Sequence, residues 1–372
     1  MTGKFQAVLL LHKIPSLVSP AYADCQDSKS LTLFAQLAAK CDHLVLYTIS
    51  VTWNTKRMTK INTAVIGVGY LGRFHAQKYA ALPNSNLVAV VDANAEAATS
   101  VAAEGQTTAL TDYRELLGKV QAVSVVVPTQ SHYEVAKFFL LNGVHVLLEK
   151  PMTVTVSEAD ELIAIAAQNK LVLQIGHLER FNSAVLALHE VLKNPRFIES
   201  HRMAAFNPRG ADVNVVLDLM IHDIDIIQSL VRSPIDHIEA NGVSVLTQEI
   251  DIANARISFV NGCVANVTAS RVSMKPQRKM RIFQSDAYIS VDFQDKILSV
   301  HRKGEKEILP GIPEIKSEER IFENSDAIKA EIVAFLDAVA TGSKPPVTGE
   351  DGRDALATAT RITELLKQQT NY

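Results

Sequence analysis

Three groups of residues in this chain have the types and spacing that chemistry requires. Gly67-Val68-Gly69-Tyr70-Leu71-Gly72 follows the pattern G-x-G-x-x-G, and Asp92 lies 20 residues past Gly72. Between an apolar strand and a helix, such a turn can wrap a pyrophosphate. Gly67 permits the tight bend, Gly69 lets phosphates approach the backbone, and Gly72 lets helix and strand pack closely. The helix N-terminus adds free N–H groups and the positive end of a dipole. Asp92 has acceptors for two ribose hydroxyls and would repel a 2′-phosphate, and it is followed by Ala93 rather than an arginine. NAD is therefore the expected cofactor, in preference to NADP.

The second group, Glu149-Lys150-Pro151, closes the apolar run His145–Leu148. Ligands of parallel sheets collect beyond the carboxyl ends of strands, which places Lys150 to reach a substrate hydroxyl or carbonyl. A solvated Glu–Lys pair before a turn is the plainer alternative. The third group is Asp218-Leu219-Met220-Ile221-His222-Asp223-Ile224-Asp225. Asp218 and His222 are four apart, on one face of a helix. An imidazole that titrates near neutrality can take a proton from an alcohol, and a neighbouring carboxylate can orient it. A capping Asp beside an ordinary His is the alternative. A metal centre on His222 with Asp218, Asp223 or Asp225 lacks further well-spaced ligands, so no metal is expected.

The elements that must carry these groups can be read from periodicity. Ala64–Ile66, Asn86–Val91, Ala122–Val127, His145–Leu148 and Leu171–Ile175 are barely alternating apolar runs, as in strands covered on both faces. Helical patterns separate them: Gly72–Leu82, Ala95–Glu104, Ser131–Asn142 and Val156–Gln168. The alternation predicts an α/β fold with a doubly wound parallel sheet. From Ile235 the pattern changes to consecutive strands, Ile235–Leu246, Asp251–Val260, Cys263–Val272, Lys279–Gln284, Ala287–Phe293 and Lys296–His301. Asn261-Gly262 between two of them is a strong hairpin signal. The helical stretches Ser325–Ala340 and Gly349–Gln368 close the chain. The expected organisation is a dinucleotide-binding domain over residues 58–178, then an α/β domain over 179–372 with a large, mostly antiparallel open sheet.

Composition narrows the function classes. With 37 basic and 40 acidic side chains the net charge is −3, which argues against a nucleic-acid partner or a polybasic membrane-surface protein. No apolar run reaches the roughly 18 residues of a transmembrane helix. Cys25, Cys41 and Cys263 are odd in number and far apart, neither a disulfide framework nor a zinc cluster, and fit a reducing cytoplasm. Residues 1–57 form an N-terminal extension. Phe5–Val18 followed by Ala21-Tyr22-Ala23 has the outline of a signal peptide, but His12, Lys13 and Pro15 break its apolar core. The plainer reading is an over-extended start or a poorly ordered appendage, with the folded chain beginning at Met58.

In order, the Gly67 turn, Pro128-Thr129-Gln130-Ser131-His132, Gly143 to Pro151, and Asp218-x-x-x-His222 resemble the glucose–fructose oxidoreductase/inositol dehydrogenase (Gfo/Idh/MocA) family. The resemblance spans roughly residues 60–370, with Gln130 standing where Asn is common. It implies a Rossmann domain and a second α/β domain whose open sheet often makes a homo-oligomer interface. It implies that Lys150, Asp218 and His222 form the catalytic group, with the proton acceptor either His222 or Lys150. It implies cofactor contacts from Gly67, Gly69, Tyr70, Leu71, Gly72, Asp92, Pro128, Thr129, His132, Glu149 and Lys150. Gly176-His177-Leu178-Glu179-Arg180-Phe181-Asn182 and the Asp218 segment are similar to members that oxidise the 3-hydroxyl of a UDP-N-acetylhexosamine. On that likeness His177, Arg180, Arg202 and Arg209 are substrate-binding candidates, since arginine suits a pyrophosphate. The cluster Arg271, Lys275, Arg278, Lys279, Arg281 reads instead as a solvated strand face. A free-sugar or inositol dehydrogenase and a non-catalytic NAD-sensing regulator on the same fold are the alternatives.

Overall fold

The computed structural model describes residues 60–207, 213–323 and 325–369, together with two short strands nearer the N-terminus. Residues 1–58 and 59–372 are separate units. In the first, β1 (Ala7–Leu9) pairs antiparallel with β2 (Tyr47–Ile49). The signal-like stretch discussed above otherwise lies outside the described residues.

The second unit opens with a six-stranded sheet. Its strands are β3 (Ile61–Ile66), β4 (Ser85–Val91), β5 (Thr108–Leu110), β6 (Ala122–Val125), β7 (His145–Glu149) and β8 (Leu173–Gly176). They run in the order β5-β4-β3-β6-β7-β8, every pair parallel. Alternate residues supply two cores. Ala64, Ile66, Val123 and Val125 pack with Phe139 and Leu162 on one face. Val65, Val90 and Leu147 pack with Tyr79 and Phe335 on the other. Burying a side chain of this size contributes about 1.5–3 kcal/mol, so both faces must be covered for the sheet to hold.

The covering helices are α1 (Tyr70–Ala81), α2 (Ala95–Gly105), α3 (His132–Leu141) and α4 (Val156–Gln168), the last begun by a Thr155–Glu158 capping box. After α5 (Ser183–Val191) and α6 (Ile221–Val231) comes α7 (Ala327–Thr341), which returns to the first sheet and adds Ile332, Phe335 and Leu336 to its core. The sequence reading gave this helix to the second domain. The structure packs it on the first, since its apolar face matches the side of the parallel sheet shared with α1.

The second sheet has eight strands: β9 (Phe197–Met203), β10 (Ile235–Val243), β11 (Ile252–Phe259), β12 (Val264–Ser270), β13 (Gln277–Gln284), β14 (Ala287–Asp292), β15 (Ile297–Leu309) and β16 (Ile312–Ile321). Their order is β10-β11-β12-β9-β13-β14-β15-β16. Only the β12–β9 pair is parallel. The Asn261-Gly262 hairpin forms as expected, with Gly262 at φ 82°. One face packs on α5, α6 and α8 (Gly349–Gln369). Strand β15 runs past His301, where the sequence reading stopped, and β16 completes the sheet edge.

Polar residues on the inner face are held in closed networks. Asp251 accepts N–H bonds from Val245 (2.7 Å), Leu246 (2.6 Å) and Thr247 (2.9 Å), and Arg271 Nε donates to it at 2.7 Å. Arg271 also donates to the Val213 carbonyl, at the start of the segment leading to Asp218. Arg271 is thus buried and paired, which corrects its placement on a solvated strand face. Burial works against the Asp251 charge, and the amide donors and Arg271 outweigh it, so its pKa lies well below the usual carboxylate range. Breaking a buried pair strands the other charge and costs about 3–5 kcal/mol. Asp251→Ala should therefore lower Tm markedly, while Asn254→Ala on the outer face should barely move it; thermal melts check both.

Candidate active site

The glycine turn has the geometry that its three positions predict. Gly67 has φ 84°, and a Cβ there would lie 2.6 Å from the Val126 carbonyl oxygen. A Cβ on Gly72 would lie 1.9 Å from the Gly67 oxygen, so helix and turn close on one another there. A Cβ on Gly69 would meet nothing within 4 Å, leaving the backbone open to a phosphate. Helix α1 starts at Tyr70 with no acidic residue in its first turn. Tyr70 is exposed, edge-on to Phe74 at 5.3 Å, and Leu71 is half-buried beside it.

Asp92 lies half-buried at the carboxyl end of β4. Its oxygens accept N–H bonds from Val68 (2.8 Å) and Asn94 (2.9 Å), which leaves lone pairs for ribose hydroxyls. It shares a cleft of about 710 Å³ with Gly67, Gly69, Ala93 and Pro128. These residues fit the adenosine and pyrophosphate of NAD. Pro128 and Thr129 begin the turn after β6. His132, expected to touch the cofactor, is buried with ring nitrogens 2.8 Å from the Val127 and Pro151 carbonyls. This corrects a direct contact: His132 ties the two loops that flank the site.

Lys150 follows β7 directly, and its Nζ donates to the Asp218 backbone carbonyl at 2.8 Å, with the Asp218 carboxylate 4.0 Å away. Asp218 sits in a π-helical turn, Val216–Met220, that feeds α6. Such turns recur at functional sites because the extra residue re-aims side chains. Asn214 anchors it by accepting N–H bonds from Val216 (3.0 Å) and Leu217 (3.1 Å). His222, one turn on, is half-buried, and its Nδ1 is enclosed with no hydrogen-bond partner among the described residues. Burial, then the cations Lys150 and Arg202, hold its basicity well below that of a free imidazole. Burial also lowers the Lys150 pKa, against the pull of Asp218 and Glu149.

His177, after β8, is buried with both ring nitrogens unpartnered among the described residues and Nδ1 3.9 Å from Asp225. Burial lowers its pKa, with Asp225 opposing. Arg180 is taken up bidentately by Asp225 at 2.7 and 2.8 Å. Arg202 is buried, with Nε 2.6 Å from Asp223 and Nη1 3.0 Å from Glu179. This corrects the substrate role expected of Arg202: its guanidinium is consumed inside the fold. Arg209 lies outside the described residues. Arg278, read above as part of a solvated strand face, is indeed exposed; it faces Arg202 across the β13–β9 ladder, has no ion-pair partner among the described residues and lies within electrostatic reach of His222. Along β13 it alternates in register with buried Met280 and Ile282. Among the described residues, the only cluster bringing three metal-ligand atoms together is His75, Glu149 and Glu331.

Turn, lysine, aspartate and histidine at these positions define a nicotinamide-dependent oxidoreductase with a Rossmann domain. Residues 61–177 match the oxidoreductase family with the NAD-binding Rossmann fold, and residues 190–290 match the GFO/IDH/MocA C-terminal domain. The chain is 44% identical over 307 residues to UDP-N-acetylglucosamine 3-dehydrogenase of Acidithiobacillus ferrooxidans, spanning 82% of this chain and 97% of that protein. A solved structure of that enzyme superposes with a TM-score of 0.79, at 43% identity, over 83% of this chain and 98% of that one. Myo-inositol 2-dehydrogenase of Thermotoga maritima is 24% identical over 78% of this chain and 92% of that protein. The chain belongs to the Gfo/Idh/MocA oxidoreductase family.

Two outcomes are expected. Asp92→Ala should weaken NAD and relax discrimination against NADP, read as the ratio of kcat/KM values for the two cofactors. Because His222 is held neutral below the ordinary imidazole value of about 6.5, the acid limb of the kcat profile should fall below that pH. A limb at or above it would show that another group titrates.

Proposed function

We propose that this enzyme oxidises the 3-hydroxyl of UDP-N-acetylglucosamine to the 3-keto sugar with NAD. The observation that carries the reading is the convergence of Lys150, Asp218 and His222 beyond the carboxyl end of β7, and the likeness to the Acidithiobacillus ferrooxidans enzyme supports the substrate. His222 is the base, since its neutral imidazole is ready to accept the hydroxyl proton. Lys150 hydrogen-bonds the same oxygen and stabilises the charge that develops on it. The Asp218 carbonyl fixes the Lys150 ammonium in place. NAD, when bound, supplies the hydride acceptor, and the protein supplies alignment.

The substrate pyrophosphate needs a cation not already paired inside the fold. Arg278 meets that requirement, whereas Arg202 does not and Arg180 is largely committed to Asp225. We assign the pyrophosphate to Arg278, with His177 lining the sugar side. No described helix is long and apolar enough to cross a membrane, and the sparse cysteines suit the cytoplasm. The outer face of the eight-stranded sheet is the surface for a homo-oligomer.

The test is a panel of UDP-sugars, free sugars and inositols with NAD, followed by NADH absorbance. UDP-N-acetylglucosamine should give the highest kcat/KM; turnover of inositols or free sugars without any UDP-sugar would overturn the substrate. Lys150→Ala and His222→Ala should each lower kcat by about 10²–10⁴ with NAD affinity within a few-fold. Arg278→Ala should raise KM for the UDP-sugar about tenfold or more and leave kcat largely intact.

A further inference from the structure

Behind the catalytic lysine lies a buried cluster that the mechanism does not use. His75 from α1, Glu149 from β7 and Glu331 from α7 bring a ring nitrogen and two carboxylate oxygens within 4.8 Å of one another. All three residues are buried. His75 Nε2 is 3.4 Å from Glu149 Oε1, and its Nδ1 is 3.2 Å from the Ser124 hydroxyl, which also pairs with the Tyr79 hydroxyl at 2.8 Å. Glu149 Oε2 accepts the Lys150 backbone N–H at 3.2 Å. Neither carboxylate oxygen of Glu331 has a hydrogen-bond partner among the described residues.

That last fact is decisive. An ionised carboxylate removed from water needs several donors, and Glu331 receives none. It faces a second carboxylate, with a single imidazole to offset both. A protonated carboxyl is neutral and carries its own donor, for which Glu149 is the neighbouring acceptor. The other groups facing it are Tyr79 and His75 from α1, Gln174 from β8, whose Nε2 donates to the Glu331 backbone carbonyl at 3.1 Å, and Lys150 beyond Glu149. One imidazole and two carboxylates are also a set that water could complete around a divalent ion, so a metal is the competing occupant that the test must separate from a proton.

We infer that Glu331 holds a proton in the folded enzyme and, by sharing it with Glu149, acts as a positioning residue for Lys150. Glu149 is the link: its carboxylate lies against Gly176, where a Cβ would come within 2.7 Å of Oε1, and it fixes the Lys150 amide. Burial, then the Glu149 charge, push the Glu331 pKa well above the usual carboxylate range, in agreement with the geometry.

The test has one arm independent of activity and one that rests on the hydride-transfer reading above. In the unfolded chain Glu331 ionises near about pH 4.3, so the stability it lends is complete below that pH and is lost as pH rises toward its raised folded value. Glu331→Gln keeps a neutral donor without the titration. Measured on the full chain from about pH 5 to about pH 9, the Tm of Glu331→Gln relative to wild type should climb steadily with pH. A difference that is flat, or that falls with pH, means Glu331 is ionised in the fold and overturns the proposal. In the kinetic arm Glu331→Leu should lower kcat about tenfold or more, as slight misplacement of a reacting group does, with KM for NAD little changed. Glu331→Gln should restore kcat to within a few-fold of wild type. Wild-type kcat in the Leu variant overturns the positioning role; if that variant does not fold, the pH series still decides protonation. One equivalent of a divalent metal in the purified wild type, lost in Glu331→Gln, overturns the proton in favour of a metal.

Discussion

The 2.8 Å bond from the Lys150 ammonium to the Asp218 carbonyl joins the two sheets at the point where chemistry is placed. Lys150 ends a strand of the parallel sheet, and Asp218 sits in the π turn that enters the second domain. Neither position is free to drift. The lysine is bounded behind by Glu149 and His132, and the π turn is anchored by Asn214 and, further upstream, by the bond from Arg271 to the Val213 carbonyl. The carbonyl is a fixed dipole, so it directs the ammonium without neutralising it, and the charge remains available to a substrate oxygen.

Around that bond the enzyme keeps a strict charge balance. Arg180 is matched by Asp225, Arg202 by Asp223 and Glu179, and Arg271 by Asp251. Each pair is shielded from water and would be costly if one partner were lost. Burial first, and then the field of Lys150 and of Arg202 held at a fixed distance, keeps the basicity of His222 well below that of a free imidazole.

Much of this was legible in the chain. The parallel strands declare themselves because both faces are buried, and the glycine turn because three positions tolerate no side chain or must leave room for a ligand. The central strand β9 escaped notice because its inner face reads Ile198, Ser200, Arg202: two of three buried positions are polar, paired with Asp223, and hydrophobic alternation vanishes. The same pairing hid the fate of Arg202, since sequence alone cannot tell a guanidinium awaiting a phosphate from one already held by an aspartate. The partners were in view, as Asp223 and Asp225 closely follow His222, but their distance in space from the arginines was not. Arg278 shows the converse: it counts among the surface charges and is exposed, yet it shares a strand face with buried Met280 and Ile282.

The return of α7 to the parallel sheet has a bearing on synthesis. The strands that bind the cofactor are complete by Gly176, yet the face carrying Val65 and Leu147 is covered only in part, by α1 and α2, until Ile332, Phe335 and Leu336 have been made. At about 5–20 residues per second on the ribosome, that interval lasts about ten seconds or more. During it the nascent chain carries an exposed apolar surface while the whole second sheet is being assembled. The first domain is therefore sealed only after every strand of the second sheet has been made, and a chain shortened before α7 would present that surface permanently to chaperones and proteases.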